Sequence, residues 1–416
     1  MNDMTQSTAT RTGGQLLIET LIAQGADLGF CVPGESFLAA LDAMHDAEDR
    51  FRMIICRHEA GATNMAEASG KLTGKPGIAF VTRGPGASHA AIGVHTAQQD
   101  STPLILFVGQ AARDHLEREA FQEVDYRQMF GRFAKWVVQI DDPDRIPELV
   151  SRAFHVAVNG RAGPVVIAIP EDVLSDTCSA PIPDAFKRVV SAPSEASLDT
   201  LDTMIAEAER PLLVLGGGSW TAESTAGMLA FAEAHHLPVT VGFRRQDLCD
   251  NTHPNYVGDM GLGIDTALAA MVCEADLLLV VGERLGEAST KGYSVIDLPR
   301  PIQKFVHVHP SPDQLGIVYQ ADMLISSTPT DFAAAVQRLN PGPKTRESWI
   351  GEGRAAYEKR FVTKENGLVL DISHVVEHLR DTLPDDAIIC NGAGTYTGYV
   401  HRYYTFRRFG TQLAPT

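Results

Sequence analysis

Residues 57–89, RHEAGATNMAEASGKLTGKPGIAFVTRGPGASH, contain an alternation of helix and strand signals. The first part, Glu59–Thr73, has the apolar spacing of a helix, and the apolar run Ile78–Thr82 has the length of a strand. The glycines and the proline of residues 82–87 then form a turn into a second helix. Strands that lead through short turns into helices are typical of parallel α/β sheets.

The same alternation extends over residues 12–170. The predicted helices are Gly14–Ala26, Glu59–Thr73 and Gly86–Gln98, and the predicted strands are Leu28–Val32, Met53–Cys56, Ile78–Thr82, Leu104–Gly109 and Val165–Pro170. Runs such as ILFVG and VVIAI are apolar on both faces, as a parallel sheet covered by helices on both sides requires. The sequence therefore predicts a doubly wound α/β domain.

Two further units follow this domain. Residues 171–200 are rich in Pro, Ser and Ala and read as a linker. A second α/β unit has predicted strands Leu212–Leu215, Pro238–Val241, Leu277–Val281 and Phe305–His309. A second linker with charged helical character follows at 340–366, and a third unit then opens with helix Ile372–Leu383 and strand Ala387–Cys390. We expect a disordered leader (1–11), two domains (12–180 and 195–340) and the start of a third, incomplete one (367–416).

Charge and composition exclude several classes of protein. The chain has 35 Lys and Arg against 52 Asp and Glu, a formal charge of −17, which disfavours binding to nucleic acid. No apolar run reaches the length of a membrane span, and the N-terminus lacks the apolar stretch of a signal peptide. The six cysteines form no CxxC pair. We therefore expect a cytoplasmic protein with no membrane partner.

Glu59 is the first candidate functional residue, because it follows a predicted strand. It would lie at the carboxyl edge of a parallel sheet, where ligands bind in open α/β folds. By position alone, a first-turn glutamate that complements the helix dipole is the favoured explanation. A zinc-binding HExxH motif would need a histidine where Ala62 stands, so no metal site is predicted here.

Three other segments have glycines or polar residues after predicted strands. The turn at 82–87 could bring backbone close to a ligand, and the loop Ala120–Asp125, AFQEVD, could cover an active site. Gly216–Gly218 could bind a nucleotide, but Thr221 stands where a dinucleotide fingerprint needs glycine. Each segment is also compatible with a purely structural turn or a solvated loop.

Together, in this order and spacing, these motifs resemble one family. RHE, GPG and FQE, with DSTPLILFVGQ, are similar to the pyrimidine-binding domain of acetolactate synthase-type thiamine-diphosphate enzymes. PLLVLGGG and ADLLLVVGERLGE resemble that family's central domain, and NGAGTYTGYVHRYY with GTQLAPT resembles the opening of its diphosphate-binding domain. The resemblance covers nearly all of the chain after residue 12 and implies repeated doubly wound parallel-sheet domains.

The resemblance also implies residue roles. Glu59 would hydrogen-bond N1′ of the cofactor's aminopyrimidine and promote loss of the C2 proton, after which the cofactor attacks a 2-oxo acid and carbon dioxide leaves. Phe121 and Gln122 would line the substrate side and take part in catalysis. The remaining cofactor-binding candidates in the first domain are Gly34, Gly84, His89 and Gln110.

Magnesium and the diphosphate would be held elsewhere. The family uses a GDG motif followed by Asn for this purpose, and its counterpart is expected beyond Thr416, so the chain as given contains no predicted metal ligands. We expect the first turn that faces the diphosphate to be formed by Asn391, Gly392, Ala393 and Gly394. Since the family pairs domains of two chains at each site, a homodimer or homotetramer is implied.

Two departures from the family concern flavin. Flavin-binding members have a GMHG-like turn and an RFDDR-like run in the central domain, where this chain has GDMG at 258–261 and RLGE at 284–287. These departures weaken the case for FAD and for acetolactate synthesis specifically. The leading hypothesis is an acetolactate synthase-like carboligase or a fragment of one. The alternatives are a thiamine-diphosphate-dependent 2-oxo acid decarboxylase and a catalytically silent nucleotide-binding α/β protein.

Overall fold

A computed structural model of the protein describes residues 10–362 and 369–415, arranged in two compact units, Met1–Val189 and Val190–Thr416. Most of the predicted leader, residues 1–9, lies outside the described residues. Arg11, its last residue, is part of a strand. The division between the units falls inside the predicted linker at 171–200, and it does not separate residues 367–416 from the central domain.

The first unit is built on a parallel six-stranded sheet flanked by helices. Its elements are β1 Arg11–Thr12, α1 Gly13–Ala23, β2 Leu28–Cys31, α2 Leu38–Asp46, β3 Arg52–Ile55, α3 Glu59–Thr73, β4 Gly77–Val81, α4 Gly84–Asp100, β5 Leu104–Gln110, α5 Tyr126–Phe130, β6 Trp136–Gln139, α6 Ile146–Val158, β7 Pro164–Pro170, α7 Glu171–Ser175 and β8 Thr177–Cys178. The strand order is β3-β2-β4-β5-β7-β6, and β1 pairs with β8 separately.

Both faces of this sheet are buried, as the two-sided apolar runs predicted. Phe80 and Phe107 lie on one face, with ring centroids 4.6 Å apart, in the cluster that also contains residues of α1 and α6. Ala79 and Leu106, their chain neighbours, point into a second cluster with residues of α3 and α4. Alternate side chains of β4 and β5 therefore enter different cores, and the predicted doubly wound fold is confirmed.

The second unit contains another parallel six-stranded sheet, ordered β11-β10-β9-β12-β13-β14, and a separate parallel pair, β15-β16. Its elements are α8 Glu195–Glu207, β9 Pro211–Leu215, α9 Ala222–Ala234, β10 Val239–Val241, β11 Tyr256–Asp259, α10 Thr266–Glu274, β12 Leu277–Val281, β13 Lys304–His309, β14 Met323–Ser326, α11 Pro329–Ala335, α12 Glu347–Glu358, α13 Ile372–Thr382, β15 Ile389–Cys390, α14 Thr397–Tyr403 and β16 Gln412–Leu413.

The C-terminal segment is bonded to the central part of the second unit. The Asp247 carboxylate accepts the backbone N–H groups of Gly410 and Gln412, at 3.0 and 3.3 Å. Asn251 exchanges hydrogen bonds with the backbone of Phe406, through its own N–H at 2.8 Å and its side-chain oxygen at 2.9 Å. These hydrogen bonds hold residues 406–412 against the central part of the second unit. The strand pair β15-β16 adds little, because each of its strands has only two residues.

Among residues 10–362 and 369–415, no helix combines the length and the apolar character that crossing a membrane requires.

Helices α3 and α4 of the first unit approach each other closely through small residues. A Cβ on Gly93 would lie 2.4 Å from the Cβ of Thr63, and the Thr63 hydroxyl donates to the Ala90 carbonyl at 3.2 Å across the two helices. A Cβ on Gly77, at the start of β4, would lie 1.8 Å from the Ala66 carbonyl oxygen. Glycine is therefore required where these elements meet, and the contact fixes how the first turns of α3 and α4 face each other.

We predict that Gly93→Ala destabilises the first unit, because its methyl group would overlap Thr63 and force the helices apart. Overpacking of this kind costs about 1–3 kcal/mol. Gly61→Ala is the matched control, since a Cβ on Gly61 in α3 has nothing within 4 Å. Urea unfolding followed by circular dichroism would measure both. Equal midpoints for the two variants would contradict the proposed packing constraint.

Candidate functional site

The carboxyl ends of β2, β3 and β4 form one edge of the first sheet, and the motifs predicted from the sequence follow these strands. The chain order reverses between β2 and β4, which makes this edge the topological switch point where α/β folds bind ligands. Gly34 follows β2, and a Cβ on it would lie 2.6 Å from the Thr82 Cβ after β4. Ser36 and Thr82 hydroxyls lie 3.0 Å apart, so the two turns are joined side by side.

Glu59 begins α3 at this edge, and its side chain is 12% exposed. Its Oε2 is 2.9 Å from Nδ1 of His89 in α4. Its other oxygen, Oε1, would be 3.6 Å from a Cβ on Gly86, an ordinary contact distance, so this oxygen lies beside the GPG turn. The structure therefore brings together the RHE glutamate, the GPG turn and His89, which are separated by up to 30 residues in the chain.

His58, Glu59 and His89 form one group whose possible ligand atoms lie within 4.8 Å of one another. The group is already hydrogen-bonded internally. Nδ1 of His58 accepts the Ala60 N–H at 3.1 Å and caps α3, and Nδ1 of His89 faces Glu59. A metal bound through Nε2 of His58 would need the proton on Nδ1 and would break this cap. The arrangement thus suits a hydrogen-bonding carboxylate better than a metal ligand.

The loop that contains Phe121 and Gln122 follows β5 and is built around Glu123. The Glu123 carboxylate accepts the N–H groups of Glu117 at 2.8 Å and Ala120 at 3.0 Å. This closes a compact loop in which Gln122 adopts a positive φ of 62° and the Phe121 side chain is exposed, at 69%. An exposed phenyl ring held by a rigid loop is available to contact a ligand.

The loop is attached to the GPG turn, so its position depends on that turn. The Gly84 N–H donates to the Gln122 carbonyl at 3.0 Å. Arg83 is buried; it donates to the Phe121 carbonyl at 3.1 Å and pairs with Glu171 at 2.5 Å. Sequence reasoning missed Arg83 and Glu123 as site residues. Their positions inside the TRGPGA and FQE motifs are the only signal that could have identified them.

Gln110, a predicted cofactor-binding residue, bonds to the loop that contains Phe121 and Gln122. It is buried at the end of β5, its amide nitrogen donates to the Val124 carbonyl at 2.9 Å, and its oxygen accepts the Ala111 N–H at 3.0 Å. Both polar atoms of the side chain are thus used in holding the loop. Direct contact between Gln110 and a cofactor stays a prediction.

In the second unit, the switch point between β9 and β12 is filled by protein groups. A Cβ on Gly217 would lie 2.0 Å from the Gly282 carbonyl oxygen, so the two turns pack backbone against backbone. The buried Glu283 carboxylate accepts the N–H groups of Arg284 and Leu285 through Oε1, at 3.1 and 3.2 Å. Its Oε2 would lie 2.1 Å from a Cβ on Gly216. A protein carboxylate therefore packs against the Gly216 turn, and in dinucleotide-binding folds the turn after the first strand binds phosphate.

The predicted diphosphate-facing residues form a turn after β15. Gly392, Ala393 and Gly394 are exposed. The Gly392 N–H donates to the Tyr396 hydroxyl at 3.1 Å, and the Gly394 carbonyl accepts the Thr397 hydroxyl at 2.8 Å. The side-chain oxygen of Asn391 is buried without a hydrogen-bond partner. An unpartnered acceptor suits a bound cation or donor group, and the diphosphate role of this turn stays a prediction.

Comparison with known proteins connects these two units to one class of enzyme. Residues 11–129 match the family model described as thiamine pyrophosphate enzyme, N-terminal TPP binding domain, and residues 198–336 match the central domain of the same enzymes. The first match includes Gly34, Glu59, Gly84, His89 and the Phe121–Gln122 loop. The second includes the sheet with Glu283.

Curated relatives extend the similarity beyond these two domains. The acetolactate synthase large subunit of Corynebacterium glutamicum is 27% identical over 412 residues, which are 97% of this chain and 65% of that protein. The Parasynechococcus marenigrum large subunit is 33% identical over 76% of this chain and 52% of its own length. The Lactococcus lactis large subunit is 29% identical over 95% of this chain and 69% of its own length.

The chain spans less than two thirds of the length of the first two of these relatives. Two domain models and long alignments agree with the motifs and the geometry described above. The chain belongs to the thiamine pyrophosphate enzyme family and is a relative of the acetolactate synthase large subunits.

Proposed function

We propose that this chain provides the aminopyrimidine half of a thiamine-diphosphate site in an acetolactate synthase-like carboligase. The observation that carries the proposal is Glu59, a mostly buried carboxylate at the switch-point edge with one oxygen bonded to His89 and the other beside Gly86. The similarity to acetolactate synthase large subunits supports this class of reaction.

The residues at this edge fit an aminopyrimidine. The backbone of Gly34 and Gly84 carries no side chain into the edge, and Oε1 of Glu59 lies beside Gly86 and is not used in the bond to His89. When bound, the cofactor supplies a nucleophilic carbon and stores the electrons released when a 2-oxo acid loses carbon dioxide. Glu59 would hold or exchange a proton at N1′, which is acid–base work for a positioned carboxyl group.

Phe121 and Gln122 would act on the substrate side. The exposed phenyl ring can exclude water from the reacting centre, and the amide of Gln122 can donate to the carbonyl oxygen of an incoming 2-oxo acid. Exclusion of water favours condensation with a second carbonyl over protonation. This loop is the feature that favours a carboligase over the alternative, a 2-oxo acid decarboxylase that releases an aldehyde.

The nucleotide-binding alternative has less support. Glu283 places negative charge at the switch point of the second sheet, and Gly216 and Gly217 pack closely against the turn after β12. A phosphate there would be repelled and would lack room. The same geometry supports the inference that the central domain takes no FAD.

The remaining parts of the proposal concern the whole protein. Magnesium and the diphosphate would be bound in the third domain, with the turn Asn391–Gly394 facing the diphosphate. Because each site would combine a pyrimidine domain and a diphosphate domain from two chains, we propose a homodimer or homotetramer. A cytoplasmic location is consistent with the cysteine pattern and is part of the same proposal.

Glu59→Gln should lower the rate of C2 proton exchange in the thiamine-diphosphate-loaded holoenzyme by about 100-fold or more, since the amide cannot exchange a proton with N1′. Glu35→Gln is the matched control, because Glu35 is exposed after Gly34 at the same edge. Exchange of the C2 proton into deuterium oxide would be followed by NMR. An unchanged rate in Glu59→Gln would remove Glu59 from the mechanism and would refute the proposed function.

Gln122→Ala should shift products of pyruvate from the condensed acid toward acetaldehyde, with little change in cofactor affinity. Gln128→Ala serves as the control, because Gln128 is exposed on α5 next to the loop and bonds only locally, to Asp125. Products would be quantified by chromatography. If the product ratio and rate of Gln122→Ala match those of the control, the loop lies outside the reaction pocket.

The purified protein should contain no stoichiometric flavin, because Glu283 occupies the switch point of the central sheet. The visible absorption spectrum and chromatography of any flavin released on denaturation would be compared with the protein concentration. One FAD per chain would show that the central domain binds flavin despite this carboxylate.

A further inference from the structure

His89 differs from the other residues at the sheet edge because it contacts Glu59 directly. It lies in the second turn of α4, and its Nδ1 is 2.9 Å from Glu59 Oε2. When Glu59 is ionised, its carboxylate only accepts hydrogen bonds, and Nδ1 of His89 then carries the proton and donates it. One oxygen of Glu59 is thereby fixed by the protein, and Oε1, beside Gly86, is not used in this bond.

The imidazole of His89 is itself held in place. His58 stacks on it, with ring centroids 4.6 Å apart and an interplanar angle of 29°. His58 is in turn fixed by the hydrogen bond from the Ala60 N–H to its Nδ1. Since Ala60 and Glu59 both belong to the first turn of α3, these contacts close a ring that returns to the glutamate. The orientation of His89 is thus determined by α3 and α4 together.

Stabilisation of the fold does not explain this arrangement well. The His89 side chain is 55% exposed, and a partly exposed pair of this kind contributes little to folding. The Glu59 side chain, at 12% exposed, has lost most of its contact with water. The bond therefore has more effect on the direction in which the carboxylate points than on the stability of the unit.

We propose that His89 is a positioning residue that holds Oε2 of Glu59, so that Oε1 is directed toward the aminopyrimidine. The proposal rests on the proposed function and differs from the role that the family resemblance suggested, in which His89 itself contacts the cofactor. It requires a hydrogen-bond donor at the position of Nδ1 and no other property of the imidazole.

Three variants of His89 test this requirement. The amide nitrogen of asparagine can occupy the position of Nδ1, whereas the nitrogen of glutamine is one bond farther from the backbone. We expect His89→Ala and His89→Gln to lower kcat and C2 proton exchange by about 10- to 100-fold, as small misplacements of catalytic groups do. His89→Asn should restore most of both rates. KM for the 2-oxo acid and the urea midpoint should stay unchanged in all three.

His95→Ala is the matched control, because His95 is exposed on the same helix and its ring lies beside Phe133. Normal rates in His89→Ala, or an Asn variant as slow as the Ala variant with an unchanged urea midpoint, would overturn the positioning role. Glu59→Gln, measured in parallel, separates the two proposals. If Glu59→Gln is inactive and His89→Ala is normal, only this inference fails, whereas an active Glu59→Gln refutes the proposed function.

Discussion

The close packing of α3 on α4 is the constraint on which the candidate site depends. Gly93 allows the helices to approach until Thr63 bonds across to Ala90. Each helix begins at the carboxyl edge of the sheet, because each follows directly from a parallel strand. Their first turns therefore meet, and Glu59 contacts His89. A wider separation would leave the same residues at the same edge without a hydrogen bond between them.

The two parallel sheets have different strand orders, and they also differ at the switch point. In the first, glycines after β2 and β4 leave backbone at the edge, and Oε1 of Glu59 lies beside Gly86 at the start of α4. In the second, Gly216 makes room for a carboxylate from the protein itself, and Glu283 uses local N–H groups that could otherwise bind an anion. Parallel α/β sheets thus have a candidate ligand site at the switch point of one unit and a turn filled by a protein carboxylate at that of the other. Fold alone does not decide function.

Sequence patterns predicted the central strands well and the edge strands poorly. In the two six-stranded sheets, the strands missed were β6, β11 and β14, which each have four residues and lie at sheet edges. The two-residue strands β1, β8 and β16 were also missed. Central strands have continuous apolar runs because both faces are buried, whereas edge strands such as WVVQ and MLIS are only partly buried and lack that signal. The helix within the predicted linker at 340–366, α12, was anticipated only as charged helical character.

The sequence by itself determined the α/β class, the family resemblance and the candidacy of Glu59, since each rests on local order: an apolar run, a turn, then a charged first helical residue. Tertiary structure decided which atoms meet. It gave Glu59 its bond to His89, made Gln110 a support for the loop, and brought Arg83 and Glu123 into the construction of that loop. These contacts depend on helix separation and loop closure, which are set by packing between residues distant in the chain and leave no periodic signal in the sequence.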